Sequence, residues 1–179
     1  MAKLFLTADM HFDHEVIITP EYCKRPFPSL DAMNKRLIHN WNQRVKDEDT
    51  IIHVGDFAFR TRGTKPQHWI EQLNGHKVFV QGNHDKNNGL KTHIKHLILD
   101  FAGEEILVTH QAEQETMPSP MFRTVLCGHS HDKWKYRLYK WGNVKTSVIN
   151  VGTDAWDFFP QTINELIDFR NKIKRENSF

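Results

Sequence analysis

The 179-residue chain carries 24 Lys and Arg against 22 Asp and Glu, a formal net charge of +2, with 39% hydrophobic residues. This length and balance predict one globular domain over residues 1–179 and give no electrostatic indication of a nucleic-acid or membrane partner. No stretch is long enough to cross a bilayer, and the apolar N-terminus is too short for a signal peptide. We therefore expect a cytoplasmic protein that does not engage a membrane.

Six short apolar runs predict buried strands along the chain. Short runs of β-branched and aliphatic residues that end at glycine or polar residues favour strands over helices. The predicted strands are Leu4–Thr7, Thr50–Val54, 77–80, 106–109, Thr124–Cys127 and 147–151.

Two longer helices and one short helix are predicted among and after these strands. Residues 30–45 place apolar side chains at helical spacing, and Ser29 is suited to cap the first turn. Residues 162–175 carry a second apolar stripe. A short helix is expected to begin at Pro66 and to end at Gly75, because proline favours the first helical turn and glycine the position after the last.

Residues 133–138 alternate between basic and apolar side chains, with Trp134, Tyr136 and Leu138 on one face. This pattern favours an edge strand with one buried and one solvated face over a nucleic-acid-binding surface. Strands that alternate with helices early and form a meander late indicate two layers of sheet with helices outside.

Residues of metal-binding type follow five of the predicted strands. Because strand ends meet on one rim of a sheet, these side chains are expected to converge. An isolated Asp-x-His pair would fit an ordinary loop, but the ordered set is far more specific. The set consists of Asp9, His11, Asp56, Asn83, His110, His129 and His131.

The donor types in this set favour transition metals. Imidazole and carboxylate together suit manganese, iron, zinc, cobalt or nickel, whereas oxygen ligands alone would indicate magnesium or calcium. Asp56 is central in the set, and the two oxygens of a carboxylate can each bind one ion. Cys127 precedes a motif and is expected to point into the core, so the set contains no thiolate. We expect two divalent or trivalent transition-metal ions, with manganese as the first candidate.

The motifs Asp-x-His, Gly-Asp, Gly-Asn-His-Asp, a lone His after a strand, and Gly-His-x-His occur in this order between Leu4 and Asp154. In this the chain resembles the calcineurin-like metallophosphoesterase superfamily. The resemblance implies an α/β fold, a four-layer αββα sandwich of two mixed β-sheets flanked by helices. It also implies that His84 protonates or steers the leaving group. It implies one metal on Asp9, His11, Asp56 and His131, and the other on Asp56, Asn83, His110 and His129.

Further segments are similar to a small, single-domain branch of that superfamily. These are 11–14, 25–27, 40–42, 55–57 and 150–156. One position departs from the serine/threonine phosphatases of the superfamily, since Phe59 replaces the aspartate that partners their catalytic histidine. The adjacent Arg60 does match their phosphate-binding arginine in position.

The expected activity is hydrolysis of a phosphate ester by a hydroxide that bridges the two ions, with His84 assisting the leaving group. The chain lacks the Asp–His pair of the protein phosphatases and a cap domain, and both features favour phosphodiesters as substrates. A phosphomonoesterase and a nuclease are the alternatives, so nucleic acid is expected only as a substrate. A scaffold or nucleic-acid-binding module without turnover is disfavoured, because every ligand and His84 are present.

Three residues are predicted on the substrate side, His14, Arg25 and Arg60. Arginine suits phosphate because its planar fork donates two parallel hydrogen bonds. The alternatives are a loop cation for Arg25 and a supporting partner of a metal ligand for His14. The pattern does not define an oligomeric state.

Overall fold

The computed structural model describes residues 1–112 and 121–176. The predicted domain of residues 1–179 therefore includes residues 113–120 and 177–179, which lie outside the described residues. The strands are β1 (Leu4–Thr7), β2 (Thr50–Val54), β3 (His76–Val80), β4 (His96–Phe101), β5 (Glu104–Thr109), β6 (Thr124–Cys127), β7 (Tyr136–Trp141), β8 (Val144–Asn150) and β9 (Gln161–Thr162). The α-helices are α1 (Leu30–Arg44), α2 (Pro66–Ile70), α3 (Asp85–Asn88) and α4 (Ile163–Glu176). Short 3₁₀ helices span Glu15–Ile18 and Thr153–Trp156.

The strands form two mixed sheets. The first has the order β3-β2-β1-β9, in which β1, β2 and β3 run parallel and β9 antiparallel. The second has the order β4-β5-β6-β8-β7, with a parallel centre and antiparallel edges. The predicted α/β architecture of two mixed sheets flanked by helices is confirmed. Because the central strands of each sheet run parallel, their carboxyl ends lie along one rim.

Three apolar clusters hold these layers together. The cluster between the sheets joins Leu6 and Val54 of the first sheet to Val108, Leu126 and Ile149 of the second. On the outer face of the first sheet, the buried stripe of α1 packs against residues that include Phe5 and Ile51. The outer face of the second sheet carries Leu107, Val125 and Val148. Burial of these aliphatic side chains is the main favourable term in folding.

The C-terminal helix α4 packs at the margin of the two sheets. Ile163 and Leu166 enter the cluster between the sheets, and the helix contacts β1, β8 and β9. Arg170 is buried and its Nη1 donates to both carboxylate oxygens of Glu104 at 2.7 Å. The helix therefore links the start of β5 to the first sheet. In the part of the chain that the structure describes, no helix is both long and apolar enough to span a membrane.

Most predictions from local signals agree with the structure, but α2, which begins at Pro66 as predicted, ends at Ile70 and not at Gly75. The Ser29 side chain accepts a hydrogen bond from the Ala32 amide, so the predicted N-cap of α1 is confirmed. Cys127 is buried, as expected. The strand near residue 133 differs from its prediction because it begins only at Tyr136, and Leu138 on that strand is 41% exposed.

Candidate metal centre

The seven predicted ligands meet at the rim where the strands end. Two groups of ligand atoms form, and within each group the atoms lie within 4.8 Å of one another. The first group contains Asp9, His11 and His131, and the second contains Asp56, His110 and His129. The amide oxygen of Asn83 joins the second group, 3.0 Å from Nε2 of His110 and 3.1 Å from Nδ1 of His129.

Asp56 lies between the two groups. Its Oδ2 is 3.9 Å from Nε2 of His11 in the first group and 3.4 Å from Nε2 of His110 in the second. Its Oδ1 accepts a hydrogen bond from the His84 amide at 3.0 Å, which fixes the carboxylate plane. This position suits the bridging role predicted for Asp56.

The backbone at these ligands adopts an uncommon conformation. Five of the seven have φ between +48° and +69°, a region that residues other than glycine occupy rarely and at a cost of about 1–3 kcal/mol each. These five are Asp9, His11, Asp56, His129 and His131. Such a concentration persists only where the surrounding structure enforces it, and it is typical of functional sites.

Two glycines create the space that the second group occupies. At Gly55, with φ +87°, a Cβ would lie 2.2 Å from Nδ1 of His110. At Gly82, a Cβ would lie 2.1 Å from Oδ1 of Asp56. Any side chain at either position would displace a predicted ligand, so these glycines are needed for close approach.

The chemistry of the first group fits a bound cation. Burial raises the pKa of Asp9 to about 6, because its carboxylate lies in a site that excludes water. His11 is completely buried, and its Nε2 has no hydrogen-bond partner among the described residues. That nitrogen lies 4.0 Å from Oδ1 of Asp9 and 3.9 Å from Oδ2 of Asp56. An unsatisfied nitrogen facing two buried carboxylates is the arrangement that a shared metal ion would satisfy.

Hydrogen bonds on the far side of the imidazoles select the nitrogen that faces the site. Nδ1 of His110 lies 2.8 Å from the Val54 carbonyl, which can only accept, so Nδ1 carries the proton and Nε2 is free to ligate. Burial opposes protonation of His110, but Asp56 and Asp9 outweigh it and raise its pKa to about 9. A cation would replace that proton as the partner of the carboxylates.

His14 supports His11. The Nδ1 atoms of the two imidazoles are 3.1 Å apart, and the His14 ring stacks on Phe59 with centroids 3.6 Å apart and an interplanar angle of 4°. Burial lowers the pKa of His14 to about 4 and that of His11 well below its usual value, so both rings are neutral. This geometry favours the alternative role of His14, a partner that orients a metal ligand, over contact with substrate.

Arg25 lies beneath the first group rather than on the substrate side. The residue is 3% exposed, and its Nη1 and Nη2 donate to the backbone carbonyls of Met10 and Asp9. Its Nε and Nη2 donate to the two carboxylate oxygens of Asp154, both at 2.7 Å. The prediction that Arg25 contacts substrate does not fit this geometry, because the connection after β1 returns under the Asp9–His11 loop and all three guanidinium nitrogens have protein partners.

Asp154 is the site residue that the sequence reasoning missed. Its Oδ2 accepts from Nδ1 of His131 at 3.0 Å as well as from Arg25, which leaves Nε2 of His131 for a metal. Burial alone would raise the pKa of Asp154, but Arg25 and His131 outweigh it and hold the pKa well below its usual range. The available signal was the segment 150–156, which resembles the small branch and contains this carboxylate.

We expect Asp154→Asn to weaken metal binding at the first group roughly 10- to 100-fold, the usual effect of removing a partner of a ligating imidazole. The amide keeps the shape of the side chain but loses the charge that pairs with Arg25. Arg25→Lys should have a similar effect, because a lysine cannot reproduce two parallel hydrogen bonds. Manganese titration by calorimetry measures both affinities.

A matched control is Asp31→Asn, which breaks the solvent-exposed ion pair between Asp31 and Arg62. Such pairs contribute little. Metal affinity and thermal stability should therefore stay unchanged in this control. If Asp154→Asn bound manganese as tightly as the unmodified protein, the supporting role of the Arg25–Asp154 pair would be refuted.

His84 lies at the rim beside both groups but belongs to neither. Its side chain is 39% exposed, and its Nε2 is 3.9 Å from Oδ2 of Asp56. The Phe59 ring lies 4.9 Å from the His84 ring, so an apolar group occupies the place of the carboxylate in the phosphatase dyad. His84 can therefore approach a bound ester from the solvent side.

Asp85 and Arg60 complete the rim. The buried Asp85 carboxylate accepts hydrogen bonds from the amides of Gly82, Asp56 and Phe57 at 2.7–2.9 Å, which ties the ends of β2 and β3 together. Asp85 therefore supports the backbone that carries the neighbouring predicted ligands. Arg60 is exposed, and its side chain lies next to Gly89, directly after α3.

Comparisons with known proteins agree with this geometry. The model of the Calcineurin-like phosphoesterase superfamily domain matches residues 3–167. An uncharacterised protein of Methanocaldococcus jannaschii is 31% identical over 175 residues, which are 97% of this chain and 94% of that protein.

Solved structures with a similar fold include a protein of unknown function from Aquifex aeolicus. It is 21% identical and has a TM-score of 0.67 over 94% of this chain and 100% of that chain. A novel archaeal phosphodiesterase is 18% identical, with a TM-score of 0.48 over 90% of this chain and 98% of that chain. The family match covers nearly the whole sequence. The chain therefore belongs to the calcineurin-like phosphoesterase superfamily.

Proposed function

We propose that this protein hydrolyses phosphate esters, with a preference for phosphodiesters, and that it binds two transition-metal ions at the rim. Manganese is the first candidate, and iron, zinc, nickel and cobalt suit the same donors. The observation that carries the proposal is the pair of adjacent donor groups with the Asp56 carboxylate between them, together with the unsatisfied buried nitrogen of His11 that faces Asp9 and Asp56. The cytoplasmic location expected from the sequence stays a prediction.

The two ion positions would be held by Asp9, His11, His131 and Asp56, and by Asp56, Asn83, His110 and His129. When bound, the ions would supply Lewis acidity, which lowers the pKa of water to about 7 and neutralises charge that develops on the phosphoryl group.

The protein's own groups then position and protonate the substrate. His84 is half-exposed at the edge of the cluster, so its imidazole can donate a proton to the departing alkoxide oxygen. The Phe59 ring beside it excludes water from one side of that imidazole. Arg60 is exposed, and in this proposal its guanidinium donates to a non-bridging phosphate oxygen.

Two features support phosphodiesters over monoesters. Within residues 1–112 and 121–176, no second domain covers the rim, so a substrate with two substituents can extend to either side. Phe59 replaces the dyad carboxylate of the protein phosphatases, so His84 lacks the partner that those enzymes use.

A substrate screen with the manganese-loaded protein tests the proposal. Bis-p-nitrophenyl phosphate and cyclic phosphodiesters should be turned over faster than p-nitrophenyl phosphate, and chelation of the metal should abolish both activities. Faster turnover of the monoester would identify a phosphomonoesterase, and cleavage of oligonucleotides alone would identify a nuclease. Full metal occupancy without any turnover would show a binding scaffold.

A further inference from the structure

A cavity of about 310 Å³ opens directly beside the second group of predicted ligands. One wall is formed by Asn83 and His110, and the others come from the ends of β3 and β5 and from the segment that precedes β4. A volume of this size lies at the lower end of the range of small-molecule sites. A substituent of an ester bound at the second group would therefore project into this cavity or past its mouth.

The remaining lining of the cavity suits an anion. This lining offers the ammonium group of Lys95, the side-chain amides of Gln81 and Gln111, and the hydroxyl of Thr109. No carboxylate is among the lining residues. Lys95 is exposed and forms no ion pair within the described ranges. An ammonium surrounded by amide and hydroxyl donors favours a negatively charged ligand group.

The segment that carries Lys95 is attached to the cavity wall. The backbone N–H of Gln81 donates to the Ile94 carbonyl at 2.7 Å, and its side-chain Nε2 donates to the Thr92 carbonyl at 3.2 Å. The hydroxyl of Thr92 also donates to the carbonyl of Phe79 at the end of β3. These bonds fix the backbone immediately before Lys95, so its ammonium group samples a limited region next to the site.

Gln111 closes the cavity on the side of the second group. Its Nε2 lies 3.3 Å from Nε2 of His129, so this amide contacts a predicted ligand directly. The cavity is thus continuous with the candidate metal centre and not a separate surface depression.

We infer that this cavity is a subsite for a second anionic group of the substrate, with Lys95 as its counter-ion. The inference rests on the proposed function, which places the scissile phosphate at the metal centre. It narrows the substrate class to phosphate esters or anhydrides that carry a further phosphoryl group next to the one that is cleaved. Lys95 then determines specificity and does not act on the reacting atoms.

Binding of inorganic phosphate and of pyrophosphate to the manganese-loaded protein tests the subsite without requiring turnover. Lys95→Ala should weaken pyrophosphate binding roughly 5- to 10-fold, as expected for one partly exposed charge contact. Phosphate binding should change less than about twofold, and Lys95→Arg should retain most of the pyrophosphate affinity. Metal content is measured after each titration, because pyrophosphate also chelates manganese.

The matched control is Lys91→Ala, which removes an exposed lysine four positions away that does not line the cavity. This variant should bind both anions like the unmodified protein. Equal effects of Lys95→Ala on phosphate and pyrophosphate, or no effect on either, would overturn the subsite. Equal loss of oligonucleotide binding in both lysine variants, with pyrophosphate binding unchanged, would also overturn it and indicate a diffuse polyanion surface. Failure of the proposed function gives a result different from failure of the subsite: turnover is then absent, but the affinities for phosphate and pyrophosphate can still be measured.

Discussion

Asp56→Asn is expected to weaken metal binding at both groups at once, whereas the unmodified protein, reloaded with manganese, should hold close to two ions per chain. The physical reason is the position of Oδ2, which faces His11 on one side and His110 on the other. An amide oxygen carries no negative charge, so it binds two cations weakly and does not offset their repulsion. Elemental analysis after gel filtration and manganese calorimetry measure the stoichiometry and both affinities.

Single-group variants provide the control for this prediction. His11→Ala removes a donor of the first group only, and His129→Ala removes a donor of the second group only. Each should lower one affinity much more than the other, in contrast to the joint loss in Asp56→Asn. One tightly held ion per chain, insensitive to Asp56→Asn, would refute the two-metal centre and leave a mononuclear site.

His84→Ala should lower the turnover of alkyl phosphodiesters by roughly 10²–10⁴-fold, the usual contribution of a positioned acid or base. The metal content should not change, because His84 lies outside both donor groups. The loss should be much smaller for esters that release p-nitrophenolate, since this leaving group departs without a proton. Rates at saturating manganese for a series of leaving groups measure this dependence.

His93→Ala is a suitable control, because His93 is exposed and belongs to neither donor group. It should leave metal binding and all rates unchanged. An equal loss for good and poor leaving groups in His84→Ala would contradict the acid role. It would assign His84 to binding the phosphate instead, in which case the change should appear mainly in KM.

Local sequence patterns were sufficient to predict where the donors of the site meet. The predicted bounds of β1, β2 and β6 coincide with the structure, because each is a short, mainly apolar and largely buried run that follows a charged residue. A residue that follows a parallel strand must lie at the rim of the sheet, so the convergence of Asp9, Asp56 and His129 follows from local patterns. The N-cap at Ser29 is also local and was predicted for that reason.

Strands without a clear apolar pattern were not predicted. In β4, intermediate and exposed residues alternate and none is fully buried, and β9 has only two residues. β4 is stabilised by pairing with β5 in a hairpin, and β9 by pairing with β1 at the other end of the chain, so their own propensities carry little information. For the same reason the edge strand β7 was placed too early, since its start is set by its register with β8.

Long-range packing determines which residues lie beneath the candidate metal centre and which lie at its exposed edge. Arg25 and Asp154 are 129 positions apart, and their contact depends on the path of two irregular connections that no periodic pattern describes. Arg25 was predicted to contact substrate, but it is buried beneath the Asp9–His11 loop, where it donates hydrogen bonds to backbone carbonyls. The cavity beside Lys95 likewise exists only because Gln81 ties the segment before β4 to the end of β3. Residue type and order predicted the chemistry of the site, whereas long-range packing determines where each supporting side chain lies relative to the metal ligands predicted there.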